Sequence, residues 1–184
     1  MNSLFTNVGV CGTGAMGQGI AQLAAQAGSQ VVLFDASFER AVQAKIAIES
    51  QWQKMLAKDR ITPSQLAQFL SRLHTANTLQ DLSSCDLVIE AIVENVDAKR
   101  SLFVQLCEHL STQAVIASNT SSLSITAMAA GMPHPERFAG LHFFNPVVLM
   151  KVVEVVPGLT TSPAACEQLK LYVQSMGHQA VLAK

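Results

Sequence analysis

The sequence predicts an α/β fold: a doubly wound, mostly parallel sheet with a helical arm and a C-terminal hairpin. Short, nearly continuous apolar runs alternate with longer amphipathic segments, which is typical of strands buried on both faces and their crossover helices. Three glycines at G-x-G-x-x-G spacing separate the first such run, Val8 to Cys11, from an Ala-rich helical segment. The 184 residues suffice for one domain with a proper core, and 49% of them are hydrophobic against 14% charged. We expect one domain over residues 1–184.

Composition excludes several classes of function. The formal net charge of −1 gives no basic character that would indicate a nucleic-acid partner. No apolar run approaches the length of a membrane span, and no basic region precedes an apolar core at the N-terminus. The cysteines are far apart, without C-x-x-C or metal-ligand spacing: Cys11, Cys85, Cys107 and Cys166. We expect a cytoplasmic protein with reduced thiols, no metal site and no membrane contact.

The glycine motif predicts a phosphate-binding turn. Gly12 permits the tight turn, Gly14 lets the backbone approach a pyrophosphate, and Gly17 lets helix and strand pack closely. The following helix, 15–27, directs the positive end of its dipole at the anion and ends at Gly28. Glycines also cluster in ordinary turns, so the neighbouring segments must support this interpretation.

The second strand ends at an acid. The run 30–34 stops at Asp35, which lies 18 residues after Gly17. An acid there can accept hydrogen bonds from the ribose hydroxyls of adenosine and repels a 2′-phosphate, so the sequence favours NAD over NADP. The alternative is an Asp that merely caps a helix starting near Ser37.

Two consecutive helices then predict an arm, at about residues 38–72, that projects from the sheet. The first runs from Ser37 to about Lys58 by its three- and four-residue apolar spacing. The second has Thr62 as N-cap and Pro63 as its first residue. Basic side chains of the arm could meet a phosphorylated substrate tail, although a solvated face is the ordinary interpretation: Lys54, Lys58 and Arg60.

Further strands are predicted at 73–76, 86–92 and 114–117, with a helix opening at Glu94-Asn95 and a short helix over 123–130. Ligands of a doubly wound sheet bind beyond the carboxyl ends of its strands. Glu94, Lys99 and Ser121 fall at or just past such ends, which distinguishes them from ordinary surface polar residues.

The last part of the chain predicts a hairpin with strands at 138–144 and 151–156, a helix from Ser162-Pro163 to Gly177 and an edge strand over 179–182. In the hairpin, His142 and Glu154 have the same parity about a turn near Val148, so both side chains leave the same face. A histidine held by a carboxylate in one tautomer can act as a general base near neutral pH. On spacing alone, a structural histidine fits equally well.

Four segments closely resemble the 3-hydroxyacyl-CoA dehydrogenase family: Gly-Thr-Gly-Ala-Met-Gly at 12–17, Glu-Ala-Ile-Val-Glu-Asn at 90–95, Ser-Asn-Thr-Ser-Ser at 118–122 and Gly-Leu-His-Phe-Phe-Asn-Pro at 140–146. The resemblance covers essentially the whole chain. It implies a Rossmann-type domain and oxidation of the 3-hydroxyl of an acyl-CoA to the 3-keto form, with NAD as cofactor.

The resemblance also implies roles for single residues. His142 is then the catalytic base, Glu154 its electrostatic partner, and Ser121 the hydroxyl that holds the C3 oxygen beside the nicotinamide and contacts the acyl-CoA. Lys58 on the arm is a candidate CoA contact, while Gln51 stands where a family member has a CoA-contacting Ser. The implied cofactor contacts are Gly12, Gly14, Ala15, Met16, Gly17, Asp35, Glu94, Lys99, Ser121 and Asn145.

The family continues into an all-helical domain that supplies an active-site Asn, a wall of the acyl pocket and most of a homodimer interface. This chain ends before that domain, so we expect NAD binding with poor turnover and leave the oligomeric state of the fragment open.

The identity of the acyl chain also stays open, between a 3-hydroxybutyryl-CoA type and a phenylacetate-pathway type whose acyl chain ends in a carboxylate. A non-catalytic dinucleotide-binding module is the alternative from another class. A β-hydroxyacid dehydrogenase with a Lys base is more remote, because no matching lysine motif is present.

Overall fold

The computed structural model describes residues 4–183. Its strands are β1 (Asn7–Cys11), β2 (Gln30–Phe34), β3 (Leu73–Thr75), β4 (Leu87–Glu90), β5 (Val115–Ser118), β6 (Phe138–Phe143), β7 (Val152–Pro157) and β8 (Gln179–Leu182). Its α-helices are α1 (Ala15–Ala27), α2 (Phe38–Leu56), α3 (Pro63–Ser71), α4 (Val96–His109), α5 (Ile125–Ala129) and α6 (Pro163–Ser175). Short 3₁₀ turns form at Leu79–Leu82 and Pro135–Arg137.

The strands form one sheet in the order β3-β2-β1-β4-β5-β6-β7-β8. All neighbours from β3 to β6 are parallel, β7 runs antiparallel to β6, and β8 is parallel to β7. The chain moves outward from β1 to β3 and then returns to place β4 on the other side of β1. This reversal opens a crevice at the carboxyl ends of β1 and β4, where doubly wound sheets bind their ligands. The predicted fold class is confirmed.

Both faces of the central strands are buried, as the continuous apolar runs predict. Leu87 and Ile89 of β4 enter the core on the side of α1, while Val88 between them enters the core on the side of α4. Each of these β4 residues therefore has a helix to pack against, whichever face it points to, whereas the edge strand β8 is largely exposed.

The expected helical arm consists of α2 and α3, and its inner face belongs to the core. Trp52 is fully buried, with its ring centroid 5.5 Å from that of Phe69. Thr62 caps α3 as predicted: its Oγ1 accepts from the backbone N–H of Gln65 (3.2 Å), and the Gln65 side chain accepts from the N–H of Thr62 (2.9 Å).

Two predicted elements are each shorter by three residues in the structure. The strand predicted over 86–92 ends at Glu90, because the backbone N–H of Ile92 donates to the Glu90 carboxylate (2.7 Å) and leaves the ladder. The helix predicted over 123–130 starts at Ile125, where the Ser124 side chain caps it. Within residues 4–183, no helix is both long and apolar enough to cross a membrane, and no cluster of three or more His, Cys, Asp or Glu side chains could hold a metal ion.

Candidate cofactor and active site

In the glycine loop, residues 12–17, Gly12 and Gly17 lie so close to other backbone atoms that no side chain would fit. Gly12 has a φ of +95°, and a Cβ at this residue would lie 2.5 Å from the carbonyl oxygen of Ala91. A Cβ at Gly17 would lie 1.8 Å from the carbonyl oxygen of Gly12, so only glycine allows α1 to approach β1 this closely. At Gly14, the N-cap of the 13-residue α1, a Cβ would meet nothing within 4 Å. The loop therefore presents an open backbone face at a helix N-terminus, which fits a pyrophosphate.

Asp35 follows β2 directly and faces this loop. Its Oδ2 accepts hydrogen bonds from the backbone N–H (3.0 Å) and the hydroxyl (2.7 Å) of Thr13. Its Oδ1 accepts from the N–H of Ser37 (3.3 Å), and the Nε of Arg40 lies 4.0 Å away. Burial raises the pKa of Asp35, but the hydrogen bonds from Thr13 and Ser37 and the charge of Arg40 outweigh it, so the pKa lies below its usual value. The side chain is an ionised acceptor held beside the glycine loop at the end of β2.

A cavity of about 600 Å³ extends from the glycine loop past Asp35. Its lining combines Gly12, Gly14 and Asp35 with apolar residues that include Leu79 and Val93. This combination suits an adenosine, whose ribose hydroxyls need acceptors and whose base needs apolar contacts.

A second cavity, of about 340 Å³, shares Ala91 and Ile92 with the first. It brings together residues from four separate segments of the chain: Met16, Glu94, Lys99, Ser121, His142 and Asn145. All six are residues that the sequence singled out. Lys58 does not line this cavity; it is exposed just beyond the end of α2. Ala15 lies on an adjoining groove with Gln51.

The hairpin pairs His142 with Glu154 directly across β6 and β7, as the parity argument predicts. The Nδ1 of His142 lies 2.9 Å from Oε2 of Glu154, and the imidazole packs on the ring of Phe144 with centroids 4.5 Å apart. Because Nδ1 is occupied by the carboxylate, Nε2 is the ring nitrogen left for chemistry in the cavity. Asn119 fixes the end of β6, since its Oδ1 accepts from the N–H of Phe143 (2.9 Å).

Lys99 belongs to a buried ion-pair cluster that the sequence does not predict. The resemblance implies a cofactor contact at this residue; in the structure the side chain is only 1% exposed, and its Nζ lies 2.5 Å from Oε1 of Glu90 and 3.2 Å from Oε2 of Glu94. Glu90 is fully buried and also accepts from the Ser118 hydroxyl (2.5 Å). Sequence reasoning missed Glu90 and Ser118. The available signal was an acid at the end of the apolar run 87–89.

Glu94 joins this cluster to the loop after β5. Its Oε1 accepts from the Thr120 hydroxyl and from the N–H of Ser121 (3.3 Å). Burial raises the pKa of Glu94, but the Thr120 hydrogen bond and the charge of Lys99 outweigh it and leave the pKa below its usual value. The Ser121 backbone is thus tied to the same carboxylate that holds Lys99.

Together, these features define a class of protein: a dinucleotide-binding domain of dehydrogenase type. The glycine loop sits at the topological switch point, Asp35 lies on one side, and the oriented His142 lies on the other.

Comparison with known proteins identifies the family. The sequence model of the NAD binding domain of 3-hydroxyacyl-CoA dehydrogenases matches residues 7–184. A 3-hydroxybutyryl-CoA dehydrogenase of Bradyrhizobium diazoefficiens is 42% identical over 184 residues, which are 100% of this chain and 63% of that protein. A 3-hydroxyadipyl-CoA dehydrogenase of Escherichia coli is 44% identical over 174 residues, 95% of this chain and 37% of that protein. The crystal structure of 3-hydroxybutyryl-CoA dehydrogenase from Escherichia coli has a TM-score of 0.95 and 43% identity, covering 97% of this chain and 38% of that one.

This chain belongs to the 3-hydroxyacyl-CoA dehydrogenase family and forms its NAD-binding domain. It spans 37–63% of the length of the two relatives compared by sequence.

Proposed function

We propose that this chain is the cofactor-binding part of an NAD-dependent enzyme that oxidises a 3-hydroxyacyl-CoA to the 3-ketoacyl-CoA and catalyses the reverse reaction. The observation that carries the proposal is the contact between His142 Nδ1 and Glu154 Oε2, 2.9 Å apart, with His142 lining the same cavity as Ser121. A module that only binds a dinucleotide has no use for an oriented base at that position.

In the proposed mechanism, Nε2 of His142 removes the proton from the 3-hydroxyl of the substrate. Glu154 holds the neutral imidazole in the reactive tautomer and then stabilises the imidazolium that forms. The Ser121 hydroxyl donates a hydrogen bond to the same substrate oxygen as it becomes a carbonyl. NAD, when bound, accepts the hydride that leaves C3. In the reverse direction, protonated His142 returns the proton.

The residues that line the two cavities suggest which part of NAD each of them would bind. We propose that Gly12, Gly14 and Gly17 shape the pyrophosphate site and that Asp35 binds the adenosine ribose. The remaining contacts would lie at the two ends of the pyrophosphate and around the nicotinamide riboside: Ala15, Met16, Glu94, Lys99, Ser121 and Asn145.

The acyl-CoA tail has a path on the arm side. A groove of about 370 Å³ shares Asn145 with the second cavity, which His142 and Ser121 line. Gln18, Gln22 and Gln51 line the groove, with Val147 among its apolar residues. Amide side chains over an apolar floor suit the amide-containing arm of CoA. We propose that the tail leaves through this groove towards Lys58, whose exposed ammonium would meet a CoA phosphate.

The test separates catalysis from cofactor binding. The isolated chain should bind NADH saturably, by fluorescence titration, and His142→Gln should leave that affinity unchanged. Turnover is measured with acetoacetyl-CoA and NADH in a fusion that adds the part of the Bradyrhizobium relative outside the matched residues. There, His142→Gln should lower kcat by about 10²–10⁴-fold. Full turnover by the His142→Gln fusion would refute the role of His142 as the base, and a wild-type fusion that binds NADH without any turnover would favour the non-catalytic module.

Two relatives suggest the substrate: one is named for a 3-hydroxybutyryl group and the other for a 3-hydroxyadipyl group, and their sequence identities to this chain are similar, 42% and 44%. We propose a short 3-hydroxyacyl-CoA of one of these two kinds, placing the enzyme in fatty acid β-oxidation or phenylacetate breakdown in the cytoplasm. Calorimetric titration of the NADH-bound chain with acetoacetyl-CoA and 3-oxoadipyl-CoA distinguishes them by affinity. We also propose a homodimer for the longer protein, to be checked by sedimentation of the fusion.

A further inference from the structure

An unbalanced set of charges lies beneath the second cavity. Lys99 supplies the single ammonium, and two carboxylates hold it, Glu90 at 2.5 Å and Glu94 at 3.2 Å. The cluster therefore carries one formal negative charge in excess. On the other side of the cavity, the carboxylate of Glu154 is paired with His142.

The cluster is fixed in place by backbone and side-chain donors. Glu90 is 0% exposed, and its two oxygens accept from the N–H of Ile92 (2.7 Å) and the hydroxyl of Ser118 (2.5 Å) in addition to Lys99. Glu94 is the solvent-facing member, with its side chain 40% exposed. A buried charge held this way is little screened by salt and does not reorient when a ligand changes charge.

The position of the cluster relates it to the reactive ring of the cofactor. A dinucleotide whose pyrophosphate lies on the glycine loop and whose adenosine lies near Asp35 places its nicotinamide in the other cavity, which Glu94 and Lys99 line. The oxidised nicotinamide ring carries a positive charge and the reduced ring is neutral. An excess negative charge at this wall therefore discriminates between the two oxidation states.

Building on the proposed function, we propose that the carboxylates of Glu90 and Glu94, set against the single ammonium of Lys99, bias this site towards the oxidised cofactor. Glu90 acts as a positioning residue: it lies outside the cavity and works through Lys99, whose ammonium it holds and whose charge it offsets. Glu94 contributes the second carboxylate at the cavity wall.

The test is the ratio of the dissociation constants of NAD and NADH, measured on this chain by calorimetry or fluorescence. Glu90→Gln keeps the size of the side chain and its ability to accept from Lys99 and Ile92, but removes one charge. It should weaken NAD relative to NADH by about tenfold, the effect of one unit charge in a partly solvated site. Glu90→Asp keeps the charge and should leave the ratio unchanged even if both affinities fall. Glu108→Gln, which removes an exposed acid on the same helix as Lys99, is the matched control and should change neither constant.

A purely structural role for Glu90 would weaken both cofactors equally, and an unchanged ratio in Glu90→Gln overturns the inference. If circular dichroism shows that Glu90→Gln does not fold, Glu94→Gln is the deciding variant, because this side chain is partly exposed and its replacement leaves the core intact. Glu94→Gln must then also raise the dissociation constant of NAD relative to that of NADH. Failure of the wild-type chain to bind either cofactor would instead refute the proposed function, which is a distinguishable result.

Discussion

Nδ1 of His142 lies 2.9 Å from Oε2 of Glu154, across the only antiparallel strand pair in the part of the sheet that the structure describes. The hairpin puts the two residues directly opposite each other, so the imidazole is oriented by strand register and not by a mobile loop. Its ring also packs on Phe144, which restricts rotation further. The geometry favours one tautomer, with Nε2 left as the acceptor.

Glu154→Gln should therefore impair chemistry without impairing cofactor binding. The amide can still contact His142 but cannot stabilise the imidazolium, so kcat of the fusion should fall by about 10²-fold while the Kd for NADH stays within about twofold. The chain offers a matched control in Glu136. Its Oε1 lies 3.3 Å from Nδ1 of the exposed His134, and neither residue lines the cavities described above. Glu136→Gln should leave kcat unchanged, and equal losses in both variants would contradict the assignment.

Two glycines of the phosphate loop should behave in opposite ways when changed to alanine. At Gly17 the new Cβ would stand 1.8 Å from a backbone oxygen, so α1 must move, and we expect a loss of about 3 kcal/mol in the free energy of unfolding. At Gly14 the Cβ meets no protein atom within 4 Å and φ is −69°, so the fold should lose only about 1 kcal/mol or less.

Gly14→Ala should nevertheless lose NADH affinity, because its methyl group occupies the open face where the pyrophosphate approaches. Urea denaturation and NADH titration of both variants separate the two effects. Normal NADH binding by Gly14→Ala would show that the dinucleotide does not lie on this loop.

Much of the fold follows from the sequence because its local signals agree with the tertiary structure. The apolar runs form buried strands, Gly28 ends α1 with a φ of +114°, and the Thr62-Pro63 pair begins α3. The errors are at element ends, where a side chain competes with the backbone pattern. The carboxylate of Glu90 takes the N–H of Ile92 from the β4 ladder, and no periodicity in the sequence encodes that bond.

The site was predictable where a motif or a register brings residues together, as at the glycine loop and at His142 with Glu154. It was not predictable where side chains from different segments of the chain meet through polar contacts. Thr13 donates to Asp35, and Arg40 approaches the same carboxylate from α2. These contacts depend on how β1, β2 and α2 pack, which spacing alone does not give.

The approach of Arg40 to Asp35 leads to a prediction on cofactor choice. Asp35→Asn removes the charge that repels a 2′-phosphate and leaves the guanidinium, 4.0 Å away in the wild type, without its acidic partner. The affinity for NADPH relative to NADH should rise by about tenfold. Adding Arg40→Gln should reduce the gain, because only the loss of repulsion then remains. An unchanged preference in Asp35→Asn would mean that Asp35 does not contact the ribose.

The same carboxylate predicts a pH dependence of stability. Hydrogen bonds from Thr13 and Ser37 hold the pKa of Asp35 below its usual value in the folded chain despite the opposing effect of burial. Because the folded pKa is the lower one, the stabilisation is complete above the unfolded pKa, about 3.9, and is lost as the pH falls through the folded pKa. Wild type should exceed Asp35→Asn in free energy of unfolding at pH 7, and the difference should shrink below about pH 4. A difference that is constant with pH would assign the effect to packing.

The thiols should divide into two classes by reactivity. Burial is the main cause that raises the pKa of Cys85 to about 12, and burial also raises the pKa of Cys11 strongly, so both are protonated and shielded in the native chain. Cys107 and Cys166 are partly exposed. A disulfide reagent at pH 7.5 should modify two thiols in the native chain and all four after denaturation, with Cys107→Ser reducing the native count to one. Rapid modification of all four in the native chain would show that the core around β1 and β4 opens readily, which the tight packing of the glycine loop on Ala91 argues against.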